Sequence, residues 1–292
     1  MQDNKLESRV QDYFNLLKPR VMSLVIFTAI TGLYLAPGEI NPLIASIAIL
    51  CISVGSGAAG AINMWYDRDI DYIMLRTKKR PIPSGRVSPE DALHMGVFLS
   101  CASIALMGLA VNILSCLLLA FTIFFYCFIY TVLLKRSTPQ NIVIGGAAGA
   151  LPPLIGWVAV TNQITIEPII LFLIIFFWTP PHFWALSLYS SEDYKKANVP
   201  MLPVVSGEKY TKVQILIYTI FLSLISISPF YFNFAGHIYL YTATILNLFF
   251  LLMVTKLYFD PKNTIARKTF AYSIFYLFAL FLSAIIDKAW SA

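Results

Sequence analysis

The sequence predicts an all-α membrane protein with about nine transmembrane helices arranged around a central cavity. Hydrophobic residues make up 58% of its 292 positions and charged residues only 12%, whereas soluble domains contain about 45–50% and about 25%. Such a chain has more apolar surface than a water-soluble fold can bury, so lipid must surround it. We expect one transmembrane domain over residues 1–292, with a polar tail at 1–14.

Nine apolar segments are long enough to cross a membrane, since a spanning helix needs about 20 mostly apolar residues. They run over residues 16–36, 42–65, 92–111, 114–134, 142–160, 168–188, 213–234, 238–257 and 270–286. Prolines at 152–153, 180–181 and 229 predict kinks. The two longest inner loops follow the second and the sixth span, so the pattern indicates two four-helix halves and a ninth helix.

Positive charge predicts the orientation of the chain. If the N-terminus is cytoplasmic, the inner segments together with the adjoining inner ends of the spans hold 20 of the 21 lysines and arginines, and only Lys288 lies outside. This distribution predicts cytoplasmic loops and a periplasmic C-terminus. Met1 to Leu17 shows neither a signal peptide nor a transit peptide, which favours a bacterial inner membrane.

The net charge of +6 is therefore assigned to topology and to anionic lipid headgroups, and nucleic acid is not expected as a partner. The four cysteines all lie in apolar segments, at spacings that suit neither a zinc site nor a disulfide framework. We expect them to pack as small apolar side chains. They are Cys51, Cys101, Cys116 and Cys127.

An acidic stripe ends the second span. Asn63, Asp67 and Asp71 are spaced four residues apart, so a helix places them on one face. Carboxylates at this spacing repel each other and stand at the negative end of the helix dipole, so a cation should offset them. Carboxylate and amide oxygens suit Mg²⁺, which completes its shell with substrate phosphates. The alternative is a solvated helix end whose acids pair with nearby arginine and lysine.

Basic residues follow the stripe in a pattern that favours a diphosphate. Arg76, Lys79 and Arg80 come directly after the acids, and acids for a metal followed by bases for an anion suit a metal-bridged diphosphate. Further bases and polar groups end the fourth span. We expect Tyr130, Lys135, Arg136 and Asn141 to lie at the mouth of the same cavity, although Lys135 and Arg136 could be topology signals alone.

A second constellation ends the sixth span. Tyr189 and Asp193 are again four residues apart, and we expect Asp193 to face the first stripe across a cleft. His182 lies within this span beside two prolines and two tryptophans. It is either a hydrogen-bonded interior histidine or a contact to a large planar acceptor, such as an axial ligand of heme iron.

At these residues the sequence resembles the UbiA-type intramembrane prenyltransferases. Residues 63–71 read NMWYDRDID and residues 76–81 read RTKKRP, which match the first signature of that family. The second signature is reduced here to Tyr189 and Asp193, which leaves the number of metal ions open. Longer strings resemble the heme-farnesylating branch of the family. They are LKRSTPQNIVIGGAAGALPPLIGW at 134–157, WTPPHFWAL at 178–186, DY at 193–194 and PMLP at 200–203.

This resemblance implies farnesyl transfer from farnesyl diphosphate to a vinyl group of heme b. It implies Mg²⁺ held by Asn63, Asp67, Asp71 and Asp193, with Tyr189 in the catalytic set and a downstream heme A synthase as protein partner. Two alternatives stay open at this point. One is a prenyltransferase acting on a small aromatic acid, and the other is a secondary transporter with a similar topology.

Overall fold

The computed structural model describes residues 10–291, and within this range the chain is helical with no β-strand. The first span is bent. Helix α1 (Val10–Leu16) and helix α2 (Pro19–Leu35) meet at 55° across a two-residue break. Residues 1–9 of the predicted tail lie outside the described range, and residues 10–14 belong to α1.

The rest of the first half consists of three further spans and one short inner helix. These are α3 (Pro42–Tyr66), α4 (Arg68–Ile73), α5 (Pro89–Ala110) and α6 (Ile113–Phe124), which continues as a π-helical segment, Phe125–Leu134. Side-chain caps begin three of the helices. Asn41, Ser88 and Asn112 each accept a hydrogen bond from a free backbone N–H in the first turn.

The second half repeats the plan of long helices with one long inner connection. Its elements are α7 (Asn141–Thr161), α8 (Ile166–Tyr189), α9 (Ser191–Lys196), α10 (Leu202–Val205), α11 (Glu208–Ser226), α12 (Ser228–Tyr231), α13 (His237–Phe259) and α14 (Ala266–Ser291). Helices α7 and α8 continue through their proline pairs. In contrast, the helix is interrupted at Ile227, two residues before Pro229.

The prediction of about nine spans is confirmed for the described part of the chain, which has eight candidate spans, or nine if the bent first pair counts as one. The eight are helices long and apolar enough to cross a membrane, and the bent pair is α1–α2. The chain is thus a multi-pass membrane protein. Its helices extend beyond the predicted segments by up to about five residues, mostly at the inner ends, where polar residues continue the helix into the loop.

Two apolar clusters organise the bundle. One is built mainly from α2, α3, α6 and α7, and the other mainly from α8, α11, α13 and α14. Helix α7 contributes to both clusters and is the most enclosed span, while α14 packs against α2, α8 and α13. This division agrees with two halves joined at α7 and closed by a ninth helix.

Polar contacts distinguish the two ends of the bundle. At the end predicted to be periplasmic, Asp287 accepts hydrogen bonds from the backbone N–H groups of Gly236 and Ile238, and Lys288 donates to the carbonyl oxygens of Tyr34 and Ala36. The acidic stripe and the long connections lie at the opposite end, where α3 and α8 finish.

Candidate active site

The acidic stripe is buried at the junction of α3 and α4. The backbone N–H of Asp67 donates to the carbonyl of Asn63 at 2.9 Å, and that of Asp71 donates to the carbonyl of Asp67 at 2.8 Å. The i, i+4 pattern therefore continues through the junction, and the three side chains share one face. Each is at most 3% exposed, whereas Asp69 points away with a side chain 61% exposed.

A basic residue contacts each member of the stripe. Asp67 pairs with Lys135 and lies 3.6 Å from the Arg136 guanidinium, and Asp71 pairs with Arg80 at 2.6 Å. Arg80, Lys135 and Arg136, which the sequence analysis assigned to an anion at the mouth of the cavity, thus lie directly against the acids. The same contacts fulfil the alternative interpretation, in which the acids pair with nearby bases.

Arg136 also anchors the exposed acid beside the stripe. Its guanidinium donates to both carboxylate oxygens of Asp69, at 2.7 Å each. These hydrogen bonds lower the pKa of Asp69 below its ordinary value and raise the pKa of Arg136. Arg136 further lies over the ring of Tyr66, 5.0 Å from its centroid. The inner ends of α3 and of the π segment are thereby fastened together.

The π segment determines which side chains of the fourth span reach the stripe. Residues five apart differ by about 140° in direction on an α-helix, but in a π-helix they are joined by i→i+5 hydrogen bonds and lie one above the other. The backbone N–H of Lys135 donates to the Tyr130 carbonyl in this way, and the Thr131 side-chain hydroxyl donates to the Tyr126 carbonyl, also five residues earlier. One face therefore presents Tyr126, Thr131 and Lys135 to α3. Single π turns occur frequently at functional sites.

Two residues that the sequence analysis did not assign contact Asn63. The Lys18 ammonium donates to Asn63 Oδ1 at 2.7 Å, and the Asn63 amide group donates to Thr131 Oγ1 at 3.0 Å and to Asp67 Oδ2 at 2.7 Å. Because lysine can only donate, it fixes the orientation of the amide. The nitrogen of Asn63, and not its oxygen, therefore faces Asp67.

Lys18 carries a signal that sequence reasoning could have used, since it lies inside the predicted span 16–36, where a charged side chain is costly and commonly functional. Thr131 carries no such signal. Its role depends on the π geometry, which no sequence pattern indicated.

The two inner loops meet at Arg76. Its backbone N–H donates to Asp193 Oδ2 at 3.3 Å, and its guanidinium donates to the hydroxyl of Tyr194 at 3.4 Å. Asp193 thus lies against the basic loop that follows the stripe, and its predicted position across a cleft from the stripe stays a prediction. Tyr189 is 52% exposed, because α8 ends there and the helical spacing to Asp193 is interrupted. Tyr194, which the sequence analysis gave only as part of the DY string and not as a site residue, is buried instead.

A basic pocket lies between the α1–α2 break and the loop after α4. Its volume is about 270 Å³, and five basic side chains line it: Lys18, Arg76, Lys79, Arg80 and Arg86. Two of them pair with carboxylates, Arg80 with Asp71 and Arg86 with Asp12. Positive charge is therefore in excess, and the pocket suits a multiply charged anion.

The remaining predicted residues have more local contacts. The ring of Tyr130 packs over Gly145 of α7, where a Cβ would overlap it. Asn141 is fully buried and donates to the carbonyl oxygen of Thr138 at 2.6 Å, while its own oxygen accepts no hydrogen bond. Tyr130 and Asn141 thus hold the turn that carries Lys135.

His182 lies in an aromatic stack. Its ring is stacked between Trp178 and Phe270, at centroid distances of 4.2 and 4.5 Å, and its Nδ1 lies 2.7 Å from Ser273 Oγ. Both ring faces are therefore covered, so a planar ligand cannot stack on them. Only the Nε2 edge is left for coordination.

The oxygen atoms of the stripe suit a Mg²⁺ ion that is held jointly by the protein and a substrate diphosphate. Asp67 Oδ1 is buried and accepts no hydrogen bond. Among the described residues, no group of three or more histidine, cysteine or acidic side chains could hold a metal ion unaided. Mg²⁺ is commonly held by one or two carboxylates and completed by substrate phosphates, so the residues fit an ion that arrives with a diphosphate.

Comparisons with known proteins identify relatives over nearly the whole chain. Protoheme IX farnesyltransferase from Rhizobium etli strain CIAT 652 is 58% identical over 97% of this chain and 90% of its own length. The protein of the same name from Rickettsia felis is 56% identical, over 96% of this chain and 92% of its own length.

Solved structures share the fold at low sequence identity. A digeranylgeranylglyceryl phosphate synthase superposes with a TM-score of 0.79 at 21% identity, over 95% of this chain and 98% of its own. A UbiA homolog from Archaeoglobus fulgidus, bound to GPP and Mg²⁺, gives a TM-score of 0.68 at 18% identity, over 94% and 99%.

The sequence profile described as the UbiA prenyltransferase family matches residues 25–283, which include every element from the middle of α2 to α14. With relatives above half identity over nearly the full length, the resemblance noted in the sequence is confirmed. This chain belongs to the UbiA prenyltransferase family.

Proposed function

We propose that this protein transfers the farnesyl group of farnesyl diphosphate to a vinyl group of heme b and so forms heme O. The observation that carries the proposal is the buried stripe of Asn63, Asp67 and Asp71, with a basic side chain against each member at one end of a lipid-embedded bundle. The family supports prenyl transfer, and relatives named protoheme IX farnesyltransferase support heme as the acceptor.

The reaction breaks the bond between C1 of the farnesyl group and the diphosphate oxygen, and the diphosphate leaves with the electron pair. The vinyl carbon then bonds to C1, water adds its hydroxyl to the adjacent carbon, and one proton is released. Arg76, Lys79, Arg80, Lys135 and Arg136 are proposed to bind the diphosphate. Fixed charges of this kind stabilise a leaving group without reorganising during the reaction.

Asn63, Asp67, Asp71 and Asp193 are the residues that would hold Mg²⁺. When bound, the ion supplies positive charge that stabilises the departing diphosphate. The choice of Mg²⁺ is supported by UbiA homolog structures that contain this ion together with GPP or DMAPP. In this chain, Asn63 Oδ1 accepts a hydrogen bond from the Lys18 ammonium group, whose positive charge opposes a metal ion at the same oxygen.

The apolar parts of both substrates are expected between the helices, where the bundle excludes water until the allylic cation is captured. We propose that Tyr189 and Tyr130 border the entrance beside Asp193 and Lys135. Asn141 acts by supporting the turn below Lys135. His182 is proposed as an axial ligand through Nε2, because its other nitrogen and both faces have partners.

We place the protein in a bacterial inner membrane, with the N-terminus and the site loops in the cytoplasm and the C-terminus in the periplasm. The bacterial relatives support this compartment, and the positive-inside rule supports the orientation. Membrane lipid is the expected surrounding. A downstream heme A synthase as partner stays a prediction.

The decisive test of the function is reconstitution. Purified protein in lipid nanodiscs, given farnesyl diphosphate, Mg²⁺ and heme b, should release pyrophosphate and yield a heme heavier by one farnesyl group and one hydroxyl group. Mass spectrometry of the extracted heme measures this. An aromatic acid offered in place of heme b should give no product; prenylation of the acid alone would contradict the proposal.

The Thr131 hydroxyl is expected to position Asn63, because it accepts one of the two hydrogen bonds from the Asn63 amide group. Thr131→Val leaves that donor unpaired in a buried site, so kcat should fall about tenfold with little change in KM. Thr131→Ser should restore the rate. The matched control is Thr122→Val in the same span, since the Thr122 hydroxyl donates only to the carbonyl of Leu118. Equal rates in the two valine variants would contradict this role.

A further inference from the structure

We infer that Lys18, at the break between α1 and α2, binds the diphosphate group of the prenyl substrate. This inference rests on the proposed function and extends it to a residue outside the acidic and basic motifs. Four observations carry it: the backbone conformation of Lys18, its placement against α3, the absence of an ion pair with any described carboxylate, and its position in the basic pocket.

The backbone of Lys18 is strained. Its φ of 53° and ψ of 57° lie in the left-handed region, which lysine rarely adopts, and the following Pro19 further favours an extended residue at this position. Such conformations cost on the order of 1–3 kcal/mol and persist where the surrounding structure requires them, commonly at functional sites. This left-handed conformation lies at the 55° bend between α1 and α2. The side chain of Lys18 points inward, towards Asn63.

Two glycines of α3 allow this turn to approach. A Cβ on Gly57 would lie 3.1 Å from Cβ of Leu17, and a Cβ on Gly60 would lie 3.3 Å from Cδ of Lys18. Larger residues at these positions would push the break away from α3. The stem of Lys18 therefore runs along α3 towards Asn63, where its ammonium group reaches the top of the acidic stripe.

Among the described residues, the ammonium group has two hydrogen-bond partners, and both are neutral. It donates to Asn63 Oδ1 at 2.7 Å and lies 3.5 Å from the Tyr126 hydroxyl. Within residues 10–290, Lys18 forms no ion pair with a carboxylate. A charge in such a position is costly unless an opposite charge accompanies it.

The basic pocket supplies the place for that opposite charge. Lys18 lines it together with Arg76 and Lys79, which also form no ion pair among the described residues. Three unpaired bases around about 270 Å³ suit a diphosphate. When the ammonium group turns from Asn63 to a diphosphate oxygen, Asn63 Oδ1 becomes free. Lys18 thus couples anion binding to exposure of that oxygen.

The test uses Lys18→Gln in the full-length protein. The glutamine amide can still donate to Asn63, so the folding contact is conserved while the charge is removed. The dissociation constant of inorganic pyrophosphate with Mg²⁺, and KM for farnesyl diphosphate, should both rise about 10- to 100-fold, as expected for loss of a charge-assisted hydrogen bond. Lys18→Arg should restore most of the affinity. Arg20→Met is the control, because Arg20 is an exposed base at the same end of α2.

The outcomes separate the inference from the function. Unchanged pyrophosphate binding in Lys18→Gln, or an equal loss in Arg20→Met, would overturn the inference even if heme is farnesylated. If wild-type protein binds pyrophosphate but forms no farnesylated heme, the proposed function fails, and a weakened Lys18→Gln still supports the diphosphate contact. The assays are made in phosphatidylcholine nanodiscs; an effect seen only with phosphatidylglycerol would assign Lys18 to a lipid headgroup instead.

Discussion

Replacement of Asp67 or Asp71 with alanine should abolish farnesyl transfer while the protein still inserts in the membrane. Both carboxylates are almost fully buried and paired with bases that are proposed to hold the diphosphate. Their loss removes the proposed metal ligands and leaves Lys135 or Arg80 without its acidic partner. Loss of one electrostatic contact to a transition state commonly costs about 10²–10³ in rate. Because each variant loses a proposed metal ligand and also the acidic partner of a diphosphate-binding base, we expect the heme product to fall below detection by mass spectrometry.

The controls separate chemistry from folding, since removal of one partner of a buried ion pair can itself destabilise a protein. Asp67→Asn and Asp71→Asn conserve side-chain shape and should be equally inactive. Asp69→Asn is the matched variant: this side chain is largely exposed and its ion pair is with Arg136, and exposed pairs contribute little. It should retain most of the activity. Full activity in either stripe variant would refute the metal assignment, as would equal loss in Asp69→Asn.

The acidic stripe could be predicted because its geometry is local. Asn63, Asp67 and Asp71 share a face for the single reason that four residues make about one helical turn, and the backbone hydrogen bonds between them are intact in the structure. The spans and their ends follow from the same short-range physics, since hydrophobic length and capping residues decide them. The number of spans needed no knowledge of packing.

The contacts between helices could not be predicted in this way. Tyr189 and Asp193 have the same spacing as the stripe, but they lie on different helices, because α8 ends at Tyr189 and α9 begins at Ser191. Tyr194 is buried instead. Lys18 and Thr131 reach Asn63 only through a left-handed break and a π-helical register. Both are backbone irregularities that tertiary contacts impose, and residue periodicity does not encode them. What the sequence analysis missed is therefore concentrated where helices cross.

The crossing of α2 and α7 predicts the largest effect on stability. Gly156 of α7 faces the backbone of α2 so closely that an added Cβ would overlap the carbonyl oxygen of Ala29 and lie 3.0 Å from the backbone nitrogen of Leu33. Gly32 of α2 meets the carbonyl of Pro153 in the same way. A flexible side chain could move aside, but two helix backbones cannot. Gly156→Ala should thus cost at least about 1–3 kcal/mol by overpacking and lower the apparent Tm in nanodiscs by roughly 5 °C or more.

Gly149→Ala supplies the comparison on the same helix. Its added Cβ would meet nothing within 4 Å, and alanine stabilises a helix interior by up to about 1 kcal/mol relative to glycine, so the Tm should stay constant or rise. Helix α2 also carries Lys18 at its inner end. If α2 is forced away from α7, the ammonium group should move from Asn63, and KM for farnesyl diphosphate should rise in Gly156→Ala but not in Gly149→Ala. Equal Tm values for the two variants would show that the close approach of the helices does not limit stability.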